Sequence, residues 1–374
     1  MEDRPRVQPA GNAAVAVGRP RRPGTPPGRN LTAMSTPTTA TPSARPLIEL
    51  GTSFWAAKTL LTAVEIGLFT ELGSGSATLG DLQAGLGLHP RSARDFLDAL
   101  VALDLLERHD GRYRNTDATG YFLDENRDTY LGGWMRQASK HLFRAWGGLT
   151  ESLRTGKPYI GWDSQDFFER LYEDLDERRS FIAAMDAWTT HIATELAAGL
   201  DWRGYRDFTD VGGARGNLSA RLAKAHPHLI GTVFDRPEIA PLFAEHMAGH
   251  GTADRVRFVT GDFFADPLPE ADVLLFGHIL HDWNADERRE LVARAYDAVR
   301  PGGIVVIYDR MIDDDRRVNR TGLLGCLNLL VVTPGGSEYT VADCRSYARD
   351  AGFAPVAELS LFDGLETAVV ARKA

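Results

Sequence analysis

FTDVGGARGNL, residues 208–218, decides how the rest of this chain is read. Phe208 and Val211 favour strand, and Asp210 stands at the close of what reads as a buried strand. Gly212, Gly213 and Gly216 then make a turn where the backbone comes close to a ligand that a Cβ would exclude. A helix opening near Asn217 points its unpaired N–H groups into that turn.

The chain beyond repeats this alternation. LIGTVFD, VRFVTGD, ADVLLFGHILH and GIVVIYD read as strands, separated by the helical stretches NLSARLAKAHP, PEIAPLFAEHMAGH and ADERRELVARAYDAVR. Two short β-like runs, VAELSLF and ETAVVARK, finish it. Such alternation predicts an α/β, Rossmann-like doubly wound parallel sheet over residues 201–374, with ligands at the carboxyl ends of its strands.

Upstream, residues 47–72 place Leu60, Leu61, Val64, Leu68 and Phe69 around much of one helix, which needs burial by a neighbour or a second subunit. A short helix capped by Thr78, a second with Pro90 at its start, and a hairpin turning at Asp110-Gly111 give a winged-helix pattern within residues 47–125. Arg91 and Arg94 on the second helix are countered by Asp95, Asp98 and Asp104, so the module reads as a scaffold or dimerisation unit. Residues 126–200 read as a helical connector that roofs a pocket at the domain junction.

Composition narrows the partners. The net charge of −9 splits into +5 over residues 1–46 (seven arginines against Glu2 and Asp3) and −14 over the remainder, an acidic body that disfavours nucleic acid. No run of about 18 apolar residues exists, which argues against a membrane span. Nine of the nineteen prolines fall in residues 1–46, a stretch too poor in apolar residues to order itself and read as a disordered tail. Cys326 and Cys344 make neither metal spacing nor disulfide framework, and a reduced, cytoplasmic setting is expected.

The ligand follows from what the turn lacks. No Lys-Ser/Thr pair follows the glycines, so it is not a P-loop, and Ala214 interrupts the dinucleotide fingerprint. The next strand ends in Asp235, where a carboxylate accepts both hydroxyls of a ribose. The third ends in Gly261-Asp262-Phe263-Phe264, where Asp262 suits an adenine amino group and Phe263 its ring. An adenosine without phosphates fits these readers, and S-adenosyl-L-methionine is such a molecule.

With DVGGARGNL, VFDRPE, GDFF, HILHDWNADERREL and PGGSEYT at these spacings, residues 47–374 resemble the small-molecule O-methyltransferases of the acetylserotonin, caffeate and bacterial polyketide-tailoring type. The resemblance implies a homodimer built on a helical, winged-helix dimerisation domain. It also implies cofactor positions at Gly212, Asp235, Asp262 and Phe263, with Gly213, Arg236 and the backbone at Gly277 nearby. Ala214 departs from the family's usual third glycine.

A phenol, pKa near 10, gains from a general base, and an unperturbed imidazole near 6.5 can accept its proton. His281, read as ending the fourth strand, takes that role by the resemblance, flanked by Asp309 and Glu338. Asp309 stands where plant relatives have Glu and is expected to reach His281 less well, and Tyr339 replaces a common Arg. His278 is expected to point elsewhere or to line the cofactor site, and HDW doubles as a helix entry. Phe181, Met185, Leu329 and Leu330, with Trp134 or Met135, are candidates to frame a flat aromatic acceptor. No metal is expected. C-methylation and methyl-ester formation remain open on the same scaffold, as does a winged-helix regulator that senses S-adenosylmethionine.

Overall fold

The computed structural model describes residues 42–159 and 175–374. The Pro/Arg-rich stretch up to residue 41, and the run FFERLYED (167–174) expected to be helical, lie outside those residues. The helix expected over 47–72 is three pieces: Arg45–Gly51, Ser53–Glu65 and Leu68–Glu71. Gly67 separates the last two in the left-handed region (φ 73°), a conformation open to glycine at little cost.

The helix Leu79–Leu86 starts on a capping box in which Thr78 and Asp81 exchange hydrogen bonds. The helix Ala93–Ala102 follows. Strands β1 (Ala77–Thr78), β2 (Leu106–His109) and β3 (Arg112–Asn115) form a small sheet in the order β1-β3-β2. Its β2–β3 hairpin turns at Asp110 and Gly111, both at positive φ, as a two-residue hairpin turn requires. Leu68, Phe69, Leu82, Leu97, Leu100 and Tyr113 fill the core beneath.

The larger sheet contains β4 (Asp207–Val211), β5 (Ile230–Asp235), β6 (Val256–Thr260), β7 (Ala271–Gly277), β8 (Val299–Asp309), β9 (Ala354–Leu361) and β10 (Glu366–Arg372). Its order is β6-β5-β4-β7-β8-β10-β9. Strands β4 to β8 are parallel, but β10 runs antiparallel to both β8 and β9. The two terminal runs therefore close the expected parallel sheet as an antiparallel edge. Strand order reverses between β4 and β7, which opens a crevice above their carboxyl ends. The 25-residue helix Leu175–Gly199 packs along the helices Gly132–Gln137 and Asn217–Ala225, burying Ile182, Ile192 and Leu196. Among the described residues no helix is long and apolar enough to cross a membrane.

Candidate active site

The glycine turn lies at that crevice. Gly212 (φ 68°), Ala214 (φ 48°) and Gly216 (φ 80°) bend the chain from β4 into the helix Asn217–Ala225. Its glycines answer to the protein's own packing first. A Cβ on Gly212 would lie 2.3 Å from Ile279 Cδ1, and one on Gly213 would strike the Asp210 carboxyl at 2.6 Å. Asp235 secures the turn from β5: Oδ2 accepts the Ala214 N–H at 2.8 Å and Oδ1 accepts the Arg236 N–H at 2.7 Å. Each oxygen keeps a lone pair for a further donor. Burial raises Asp235 to about 6, against those stabilising N–H groups, and raises the neighbouring Asp210 to about 7.

Past β6 the Gly261 N–H donates to the Asp235 carbonyl at 3.0 Å, and a Cβ there would meet the Phe234 ring at 2.3 Å. Asp262 is exposed, its Oδ1 taking the Phe264 N–H at 2.8 Å. Phe263 is packed edge-on between Phe264 and Trp283, and its Cε1 lies 3.9 Å from the Gly212 Cβ position. The turn, Asp235 and the Asp262-Phe263 corner thus border one crevice, as a ribose and an adenine require. These residues fit S-adenosylmethionine.

β7 ends sooner than the sequence suggests. Its last residue is Gly277, where a Cβ would overlap the Tyr308 hydroxyl at 1.9 Å. His278 follows at φ 55°, and Leu280–Asp282 is a 3₁₀ turn, so His281 sits in that turn and not on the strand. The turn leads into the helix Ala285–Ala298, capped reciprocally by Asn284 and Glu287. Arg288 anchors it by donating to the Leu280 carbonyl at 2.9 Å while stacking on Tyr339.

The 3₁₀ turn aims His281 at acids from two other elements. Nδ1 lies 3.2 Å from Asp309 Oδ1, at the end of β8, and 3.4 Å from Glu338 Oε1, while Nε2 lies 3.7 Å from Asp282 Oδ1. The shorter acid therefore reaches the imidazole as closely as the longer one. Tyr339 donates its hydroxyl to the other oxygen of Asp309, which accounts for a tyrosine here in place of an arginine. Burial alone would lower the His281 pKa, but the carboxylates of Asp309, Glu338 and Asp282 outweigh it and raise the group to about 10. The surrounding carboxylates therefore favour the imidazolium, where the sequence alone predicts a largely neutral ring.

His278 faces this cluster: Nδ1 lies 3.9 Å from Asp309 Oδ1 and Nε2 3.8 Å from Glu366 Oε1. Burial, with His281 and Arg310 adding repulsion, keeps His278 well below its ordinary pKa and hence neutral. Arg310 Nε lies 3.4 Å from Glu366 Oε1, and its guanidinium covers Trp188 at 4.5 Å and Trp134 at 5.4 Å. Glu366 and Arg310 were not singled out from sequence, and Trp188 reads there only as one of the apolar residues at helical spacing on its helix. The available signals were Trp188 one turn past Met185 and Arg310 directly after Asp309. The donor atoms of His278, His281 and Asp309 lie within 4.8 Å of one another, a spacing a metal ion could use, although ion pairing already balances these charges.

The acceptor candidates divide. Leu329 is buried and Leu330 partly so, on the helix Arg320–Val332, whose Gly325 packs against Glu338. Trp134 stands at Arg310. Phe181 packs instead with Ile239, Leu242 and Ala214, on the side of the glycine turn. Met185 is partly buried on the same helix. Met135 packs against the N-terminal core that holds Leu68 and Leu100.

A family model of the O-methyltransferase domain matches residues 146–354, and one of the O-methyltransferase dimerisation domain matches residues 48–125. This chain belongs to the O-methyltransferase family and is an S-adenosylmethionine-dependent methyltransferase. It is 48% identical over 328 residues to the tetracenomycin polyketide synthesis 8-O-methyltransferase of Streptomyces glaucescens, covering 87% of this chain and 96% of that one. It is 41% identical over 321 residues to an N,N-dimethyltransferase of Streptomyces rimosus, covering 85% and 93%. Human N-acetylserotonin methyltransferase in complex with S-adenosylmethionine superposes with a TM-score of 0.81 at 28% identity, over 90% of this chain and 99% of that structure.

Proposed function

We propose that this enzyme methylates a phenolic hydroxyl of a small fused aromatic acceptor of the polyketide kind, with His281 as general base. The observation that carries the reading is His281 in its turn beside the cofactor crevice, with Asp309 and Glu338 on one ring nitrogen. The relative named for tetracenomycin 8-O-methylation supports the acceptor class. The cofactor supplies a methyl group on a sulfonium. Asp235 and Asp262 orient its ribose and adenine, Phe263 closes over the ring, and Gly212, Gly213, Gly261, Gly277 and Arg236 shape the crevice. Leu329 and Trp134, with Met185 and Phe181 toward the cofactor, hold the aromatic plane.

His281 takes the phenolic proton as the oxygen becomes nucleophilic. A phenol near pKa 10 matches the imidazole's raised value of about 10, so transfer is close to isoenergetic. Asp309 and Glu338 stabilise the resulting imidazolium and hold the ring. The acceptor binds productively as phenol to neutral His281 or, with the same number of protons, as phenolate to the imidazolium.

His281→Ala is expected to leave S-adenosylhomocysteine affinity unchanged and to cut turnover on a phenol by about 10²-fold or more. Turnover equal to the unmodified enzyme would sink the base assignment. The N,N-dimethyltransferase relative favours a second reading, an aromatic amine acceptor. Product mass with deuteromethyl cofactor separates the two: one methyl on oxygen, or two on nitrogen.

A further inference from the structure

On the outer side of the helix Asn217–Ala225, a cavity of about 170 Å³ opens among Asp186 and Thr190 of the helix Leu175–Gly199, Arg215 and Arg221, and His246 and His250 of the helix Ala240–His250. Its wall sets the guanidiniums of Arg215 and Arg221 beside the carboxylates of Asp186 and Asp128. Arg215 bridges Asp186 through Nε and one terminal nitrogen, which leaves the other terminal nitrogen without a partner among the described residues. Arg221 uses only Nε, toward Asn217 Oδ1 at 3.1 Å, so both its terminal nitrogens are unpaired among the described residues. His246 Nε2 is buried there and likewise has no hydrogen-bond partner among them. Lys224 Nζ stands behind, 3.2 Å from His250 Nδ1.

We propose that this cavity is an oxyanion site, built for a phosphate group either free or at the end of a small ester. Two guanidiniums with spare N–H groups suit a tetrahedral anion, since each can offer parallel donors to two oxygens. The Asp186 and Asp128 carboxylates offset two of the three nearby side-chain cations, Arg215, Arg221 and Lys224, and leave one in excess. His246 reports that excess: burial first, then Arg215, His250, Arg221 and Lys224, push it down to about 3. An anion among those cations would reverse the repulsion and allow Nε2 to donate. The volume accommodates a phosphate with a few waters but not a nucleotide. None of this rests on the assignment of His281.

The test is a titration of the full-length enzyme with inorganic phosphate and, separately, with phenyl phosphate, at constant ionic strength and pH 7.5, followed by the imidazole C–H resonances of His246 and His250. Saturable shifts of both rings with one Kd, an upward move of the His246 pKa, and affinity about 10-fold weaker in Arg221→Gln are expected, the last being the scale of one lost charge-assisted hydrogen bond. His246→Gln, which keeps the cavity's shape, should weaken phosphate too, read by calorimetry. Tighter binding of one probe tells free phosphate from an ester. Shifts that grow with added phosphate without saturating, or equal affinity in both variants, would overturn the proposal.

Discussion

His281 is asked to be a base by its position and an acid by its surroundings. Asp309, Glu338 and Asp282 raise its pKa, to about 10, and so favour a protonated ring at neutral pH before any acceptor arrives. A proton must therefore leave the site, or the acceptor must enter as phenolate, before methylation. The pH dependence follows. kcat/KM on a phenol should rise about tenfold per pH unit between pH 7 and 9 and reach a maximum near 10, where the phenol itself ionises, with no break at 6.5. Asp309→Asn removes one of the charges that raise His281, so its inflection should move to lower pH even as the maximum rate drops. An inflection at 6.5 in the unmodified enzyme would show that the acids do not act on the proton-accepting group. Asp309 and Glu338 are placed beside His281 through the family resemblance alone; without it either acid reads as a solvated loop residue, and Asp282 reads as a helix cap. The sequence could not disclose the charge state, because that depends on 3 to 4 Å separations set by three separate elements.

At the scale of elements, the alternation of strands and helices was legible because β4, β5, β7 and β8 are largely buried on both faces and read as apolar runs. Their ends were less so. ILH continues the apolar look of β7, and nothing in composition announces that His278, a non-glycine, takes φ 55° and ends it. The same difficulty hides in the glycine turn. Ala214 looked like a mild departure in sequence, yet it stands at φ 48°, where a Cβ costs roughly 1–2 kcal/mol. Against this, glycine there frees the unfolded chain by about 0.4–1 kcal/mol. Ala214→Gly should therefore stabilise the fold by about 0.5–1 kcal/mol, read as a higher urea midpoint with unchanged slope. A lower midpoint would mean that the methyl's packing beside Phe181 and Ile239 outweighs the backbone strain.

Over the whole molecule, the sheet order brings β5 and β7 to either side of β4, so that Asp235, the glycine turn and the segment after β7 border one crevice although they are far apart in sequence. On the proposed cofactor assignment, binding and folding are linked through Asp235. In the folded protein without ligand, burial raises this group from 3.8 to about 6, so its ionisation is a cost to the fold, absent below about pH 4, growing between pH 4 and 6 and constant above. Ribose hydroxyls donate to the ionised form and recover that cost, while a proton competes with them. Hence the Kd for S-adenosylhomocysteine should be flat above pH 7 and weaken by up to about tenfold per unit below pH 6. The thermal shift follows the same curve: at 100 Kd of ligand the fold gains about 2.7 kcal/mol at pH 7.5, and at fixed ligand concentration the gain shrinks toward pH 5. Asp235→Asn, which cannot ionise, should bind more weakly at pH 7.5 and lose most of this dependence. A Kd unchanged from pH 8 to pH 5 in the unmodified enzyme would detach the cofactor from Asp235 and leave the carboxylate as a clasp on the Ala214 and Arg236 amides alone.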